Sequence, residues 1–213
     1  MSIQIDKIWL FRIVHIDNVE YLLQHGMFNK NHIHADPNYI NIGDTTLIAQ
    51  RNDYPVKLPN FGNLGDYVPF YFGPLSPMLL NIKTGYRGIK QRPQSEIVYI
   101  CCKLDQIVRE CPYWCFTNGH AKNSITEFYS NLSSLKNVDF NTTKLRYFNN
   151  SEDDWDKMRK KQAEFLVKET VPVSCISAIV VYNEEAKLLI QNVIDKFGLA
   201  ISVSVNPKNN FYF

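Results

Sequence analysis

The sequence predicts an α+β domain built around a mixed or antiparallel sheet. Short runs rich in β-branched and aromatic residues recur from Lys7 to Val205. Some are separated by amphipathic stretches, but without a regular βαβ repeat. The 213 residues are 45% hydrophobic and 21% charged, an ordinary globular balance, and long enough for a real core. No repeat, low-complexity tract or linker interrupts them, so residues 1–213 read as one domain.

Lys7–Val14 reads as the first strand. His15-Ile16-Asp17-Asn18 ends it, and Asp17 or Asn18 can cap a helix through Val19, Leu22 and Leu23 to Gly26. Arg12 and His15 then lie near a strand-to-helix junction, where polar side chains often line a site; a lone histidine can equally satisfy a neighbouring backbone. Residues 29–63 carry little periodicity, and such a stretch is functional or mobile. Within it, His32, His34 and Asp36 have ligand-like spacing but suit a solvated loop. Ile40–Ile48 can hold a short element, and Arg51 precedes the turn Asn52-Asp53-Tyr54-Pro55.

Leu64–Leu80 organises the chain. It holds four aromatics, two glycines and three prolines. Aromatics, Val, Met and Leu ask for burial, while the prolines oppose a helix or a central strand. An extended, kinked segment wedged into the core is expected, with Tyr67 and Tyr71 free to present hydroxyls. Such a wall suits a nicotinamide or a nucleobase; a plain core crossing with turns at Gly65-Asp66 and Gly73-Pro74 explains the same composition.

Met78–Ile82 reads as a strand, Ile97–Cys102 as a buried strand, Asp105–Cys111 as a short helix and Trp114–Thr117 as another strand. Ser124–Leu135 has helical character. Ser151-Glu152-Asp153-Asp154 opens a helix whose later Lys157, Arg159, Lys160 and Lys161 suit the macrodipole, with Trp155 and Met158 on its inner face. Strand character follows in Ala163–Glu169. Alternation puts Glu164, Leu166 and Lys168 on one face and Phe165 and Val167 on the other. A carboxylate sharing a face with Leu166 at a strand start is positioned for partial burial, the environment of a catalytic acid, although a surface Glu at a helix end fits as well. Ala178–Tyr182 is a strand, Glu184–Phe197 an amphipathic helix stopped by Gly198, and Leu199–Val205 a last strand.

A net charge of +2 is too small to argue nucleic-acid binding by itself. The five cysteines, Cys101, Cys102, Cys111, Cys115 and Cys175, fit a reduced cytosolic protein. A zinc site on Cys111, Cys115 and His120 has weak spacing, and no metal is expected. Met1–Lys7 lacks a signal-peptide pattern, and no apolar run is long enough to span a membrane. P-loop, Rossmann, His-Glu-x-x-His and Gly-x-Ser-x-Gly motifs are missing.

Six segments, in this order, resemble the DarT family of DNA ADP-ribosyltransferase toxins: Phe11–Asn18, Gly65–Phe72, Ser76–Leu79, Phe116–Ala121, Ala163–Val167 and Phe211–Phe213. The aromatic wall is the most specific. Leu75 departs from the basic residue expected there in many relatives, leaving a phosphate or DNA contact at that position unsupported. The resemblance implies an ADP-ribosyltransferase fold with a split mixed or antiparallel sheet flanked by helices. It implies NAD as co-substrate and transfer of ADP-ribose to a base in single-stranded DNA, thymine first and guanine second. A macrodomain antitoxin would remove the mark, and a cytoplasmic monomer is expected. By motif match, Glu164 and Arg51 are the expected catalytic residues. Arg12, His15, Asn18, Tyr67, Tyr71 and His120 are the expected NAD contacts. Lys144, Arg146, Tyr147 and Phe148 combine charge with aromatic faces and are the expected DNA contacts.

The chemistry suits these residue types. Splitting the nicotinamide–ribose bond builds positive charge on the ribose, which a nearby carboxylate stabilises, and that carboxylate can accept the base proton. The planar fork of Arg51 would neutralise phosphate or orient the base. An RNA- or protein-directed transferase, or a non-enzymatic base-stacking module, remain alternatives; nicotinamide release separates the last.

Overall fold

The computed structural model describes residues 4–213, so the Met1–Ile3 part of the leader reading lies outside the described residues. In chain order the elements are β1 (Trp9–His15), α1 (Val19–His25), β2 (Met27–Phe28), α2 (Thr45–Asn52), β3 (Tyr67–Tyr71) and α3 (Pro77–Thr84). Then come β4 (Ile97–Lys103), α4 (Leu104–Glu110), β5 (Trp114–Thr117), β6 (Phe128–Tyr129) and α5 (Lys157–Lys160). The chain closes with β7 (Glu164–Lys168), β8 (Thr170–Val171), β9 (Ile176–Val181), α6 (Glu184–Lys196) and β10 (Ser202–Val205).

Eight strands form one mixed sheet in the order β10-β9-β4-β1-β3-β7-β5-β6; β2 and β8 pair separately. Among the described residues only β9 and β10 run parallel within it, bridged by α6. The sheet is split at its middle. β1 pairs with β4 along its whole length, Trp9 opposite Lys103 through His15 opposite Ile97. Toward β3 it keeps a single register pair, Phe11 opposite Tyr71. Pro69 lacks an N–H for a ladder; its carbonyl instead accepts a 3.1 Å hydrogen bond from Arg12 Nη1 across the split.

Burial follows the period of two. Leu10, Val14, Val68, Phe70, Phe165 and Val167 enter one core, covered by Leu22 and Leu23 of α1, Ile107 of α4 and Ile190 and Ile194 of α6. On the other face Ile13, Tyr99, Cys101 and Val180 pack with Leu79 and Ile82 of α3 and with Tyr212. A third cluster joins Leu64, Tyr67, Cys115 and Leu166. Leu79 and Ile82 are fully buried, contributing about 1.5–3 kcal/mol each. The Tyr212 hydroxyl ties the C-terminal segment to the sheet, donating to the Ile97 and Val180 carbonyls at 2.8 and 3.1 Å.

Three expectations are corrected. Met78–Ile82 is helical: Ser76 Oγ accepts the Leu79 N–H at 3.2 Å, Pro77 sits in the first turn where its missing N–H costs nothing, and Gly85 takes the left-handed closing position at φ 70°. Ser124–Leu135 is not helical; it holds β6, paired with β5, and a 3-10 run over Leu132–Asn137. There Asn131 Oδ1 accepts the Ser134 N–H at 3.0 Å and caps only that short 3-10 run, after the β6 pairing. The helix expected from Ser151 shrinks to the one turn α5, because Ser151 and Asp154 close a tight bridge before it. Trp155, 74% exposed, and Met158, 41% exposed, are therefore not an inner face.

Candidate active site

Glu164 is the first residue of β7, directly opposite Tyr71 of β3, beside the split. Its N–H donates to Thr117 Oγ1 at 3.0 Å, which fixes the strand start. The residue is 3% exposed. Arg51 Nη1 donates to Oε1 at 3.1 Å and Arg51 Nη2 to Oε2 at 2.7 Å, a two-pronged pair. The Ala121 N–H adds a third bond to Oε1 at 3.0 Å.

Arg51 reaches this point because α2 starts where Asp44 Oδ1 accepts the Leu47 N–H at 3.0 Å, and ends in the turn carrying Arg51. Gly65 lies against α2 so closely that a Cβ there would meet the Asn52 carbonyl oxygen at 2.7 Å. The Ala121 loop is held by Arg159. Its Nη1 donates to Asn118 Oδ1 and Thr126 Oγ1 at 3.0 and 3.1 Å, and its Nε and Nη2 pair with Asp156. His120 N–H donates to the Arg159 carbonyl at 3.0 Å.

Charge states follow from this packing. Burial alone pushes the Glu164 carboxyl upward; the Arg51 charge and hydrogen bonds, the His120 ring and the Ala121 N–H together carry it below its ordinary value. Burial likewise opposes charge on Arg51, but Glu164 overrides it and the guanidinium stays protonated. Tyr71 is pushed up, first by burial and then by Glu164, and remains a neutral phenol. Burial moves His120 down, Glu164 opposing, so its ring is neutral at pH 7. The result is a fixed Glu164 carboxylate paired with the Arg51 guanidinium, beside a neutral Tyr71 and a neutral His120.

These groups lie along a cavity of about 920 Å³, within the roughly 300–1,000 Å³ of small-molecule sites. Arg12 and Ile13 supply the β1 side, Tyr67, Pro69 and Tyr71 the β3 wall, and Met78 and Asn81 the α3 side. Lys30, Tyr39, Asn41 and Asp44 add lining from the loop before α2, and Ile125, Trp155, Asp156 and Met158 add lining from later loops and α5. Of the expected site residues, Glu164, Arg51, Arg12, Tyr67, Tyr71 and His120 meet here.

His15 and Asn18 do not line the cavity. His15 Nδ1 accepts the Asp17 N–H at 3.2 Å, and Nε2 faces Glu96 at 3.3 Å. Asn18 exchanges two 2.9 Å bonds with the Ile40 backbone, latching the loop that brings Tyr39 and Asn41 to the cavity. Nor does Lys144-Leu145-Arg146-Tyr147-Phe148 form a groove along it. Phe148 is buried against Phe213, Arg146 is committed to the Asn209 and Tyr212 carbonyls, and Tyr147 is 85% exposed. Phe148 is therefore not a base-stacking platform; Lys144 lines a different cleft.

Asp44, Arg159, Trp155 and Met158 are among the cavity-lining residues that the sequence did not bring forward. The Asp44-x-x-Leu47 spacing is a cap signal that would have found α2; the role of Arg159 depends on a loop from another part of the chain. Cys111 and Cys115 pack in different clusters, and among the described residues no three His, Cys, Asp or Glu side chains gather as a metal site. Among them too, no helix is long and apolar enough to cross a membrane.

A family model described as ssDNA thymidine ADP-ribosyltransferase, DarT, matches residues 11–213. A DNA ADP-ribosyl transferase of Escherichia coli O127:H6 is 37% identical over 212 residues, covering 100% of this chain and 96% of the relative. The Thermus sp. 2.9 DarT structure in complex with ADP-ribosylated ssDNA superposes with TM-score 0.86 at 27% identity, covering 96% of both chains. The same protein in complex with NAD+ gives TM-score 0.78 at 26% identity, over 96% of this chain and 97% of that one. A Thermosipho africanus fusion of a DNA ADP-ribosyl transferase and a DNA ADP-ribosyl glycohydrolase is 27% identical, over 96% of this chain and 49% of the fusion.

Proposed function

The chain belongs to the DarT family of single-stranded-DNA ADP-ribosyltransferases, and from that premise we propose that Glu164 and Arg51 are the catalytic pair of an NAD-dependent reaction on a thymine base. NAD supplies an electrophilic ribose carbon and nicotinamide as leaving group. The observation that carries the assignment is the buried, ionised Glu164 carboxylate opposite Tyr71 in a cavity of about 920 Å³.

Each residue then has a task. Glu164 holds negative charge where positive charge develops on the ribose, and its held geometry keeps reorganisation small. Its carboxylate accepts the proton released as a ring nitrogen of the base attacks. Arg51 keeps that carboxylate ionised and aimed with its fork, and offers its remaining N–H groups to the incoming base or phosphate. Tyr71 and Tyr67 form the wall for the nicotinamide ring. Arg12 and Lys30, two of the cations lining the cavity, meet the pyrophosphate, and neutral His120 is a hydrogen-bond partner beside Glu164. His15 and Asn18 act on NAD indirectly, by holding the start of α1 and the loop at Ile40.

The strand approaches over Ile125, Trp155 and Met158, apolar side chains left exposed at the cavity rim. An exposed indole beside a reaction centre suits base stacking, and a single strand needs no base flipped from a duplex. The protein would act as a cytoplasmic monomer and as the toxin of a toxin–antitoxin pair. A macrodomain partner that removes the mark is in keeping with the transferase–glycohydrolase fusion of Thermosipho africanus. The test is to incubate the protein with NAD and a thymidine-containing single strand and weigh the strand by mass spectrometry. An ADP-ribose adduct formed by wild type and lost in a folded Glu164→Gln variant is expected. No adduct on any base would overturn the function, and an active Glu164→Gln would remove Glu164 from its role.

A further inference from the structure

A second cleft of about 900 Å³ lies at the end of the sheet split where β1 begins and β3 ends. Phe11 lies in it, as does Phe72, the residue after Tyr71, so it meets the same seam as the catalytic cavity, but the two share no lining residue. Trp9 and Phe140 add further rings, and Phe140 meets Phe72 edge-on at 5.5 Å. Lys7 and Lys144, both exposed, supply charge at its rim. The Lys103 ammonium sits 4.0 Å from the centre of the Trp9 ring. Among the described residues, no Asp or Glu lines the cleft. Asp139, close by in sequence, is occupied by the Thr142 N–H and hydroxyl, both at 2.9 Å.

Aromatic faces set among lysines, with no acid in the lining, suit a polyanion whose units carry flat rings. Resting on the DNA-directed reading above, we propose that this cleft is an accessory single-strand binding site: bases stack on Trp9 and Phe140, and Lys7 and Lys144 meet the phosphates. A route links it to the reaction centre. Pro74 and Lys144 lie on its wall, and Lys161 Nζ donates to the Pro74 and Thr143 carbonyls at 2.7 and 2.6 Å. Lys161 stands three residues before Glu164 on the same segment. A strand seated in the cleft thus rests on the clamp from which the catalytic strand departs.

The test compares thymidine-containing strands of about 8 and about 30 nucleotides, on either side of typical single-strand site sizes. In wild type the longer strand should show a clearly lower KM. Lys7→Glu with Lys144→Glu, both on the surface, should raise KM for the longer strand by about tenfold. The same pair should lower its salt slope by about 1.4, because each phosphate that a lysine no longer neutralises removes about 0.7. kcat, KM for NAD and rates on the short strand should not move. Trp9→Ala should act in the same direction, and in a Trp155→Phe background the quenching of tryptophan fluorescence by thymidine homopolymer should be lost with the double lysine change. Equal KM values for both lengths in wild type, or equal losses on both strands in the variants, would overturn the accessory site. Wild-type turnover of the short strand reports the catalytic cavity separately.

Discussion

Arg51→Met removes both bonds from Arg51 to Glu164, at 3.1 and 2.7 Å, and leaves the carboxylate with the Ala121 N–H. Because Glu164 is 3% exposed, water from the cavity replaces the guanidinium only in part. Breaking a buried pair from one side costs about 3–5 kcal/mol, a large part of the roughly 5–15 kcal/mol that keeps a domain folded. At a urea slope of about 2–3 kcal/mol per molar, the midpoint should fall by about 1–2.5 M. Adding Glu164→Gln withdraws the stranded charge. The double variant should then lose about 1–3 kcal/mol less than the sum of the two single changes. pH gives a second readout. In wild type the folded pKa of Glu164 is depressed, so its contribution is present above the unfolded value of about 4.3 and is lost as pH falls through the folded value. Without Arg51, burial acts unopposed by its charge and the folded pKa rises above the unfolded one. Acidifying from about pH 7 to 5 should therefore stabilise Arg51→Met and not wild type. Strictly additive losses in urea, with no such reversal, would refute the reasoning.

Burial pushes the Lys161 ammonium down to about 7. Unfolding therefore takes up a proton between that value and roughly 10.4, and stability should rise with pH across this window. Lys161→Met should flatten that part of a chemical-denaturation profile. Gly73→Ala places a Cβ into the Thr143 carbonyl oxygen; it should cost about 1–3 kcal/mol, or about 3–10 °C in a thermal melt. Asp44→Ala removes the cap of α2 and should cost about 0.5–2 kcal/mol. It should also slow adduct formation, because α2 aims Arg51, whereas Asp44→Asn should retain both stability and rate.

Much of the central sheet is legible in the sequence because its strands obey a local rule. Alternation alone puts Glu164 and Leu166 on one face and Phe165 and Val167 on the other, as the packing has it. The Arg51–Glu164 pair is not legible from spacing, since 113 positions separate the two residues; the family resemblance brings them forward together. Met78–Ile82 misleads because five consecutive residues with four apolar side chains show no clear period, and Ser76-Pro77 reads as a break as readily as a helix start. The stretch around Lys144 misleads for a different reason. Charge next to aromatics is the composition of a DNA contact, yet Phe148 and Arg146 are claimed by the C-terminal segment, folded back from the far end of the chain. The separation of the two clefts likewise depends on where β1 and β3 part, which no single stretch encodes.

The most direct measurement is a crystal structure of the wild-type protein with a non-hydrolysable NAD analogue. The Glu164 carboxylate should lie about 3–4 Å from the ribose carbon that bears nicotinamide, with the ring against Tyr71. Dinucleotide seated elsewhere, in the Trp9–Phe140 cleft for instance, with the Arg51–Glu164 pair left undisturbed and untouched, would contradict the account.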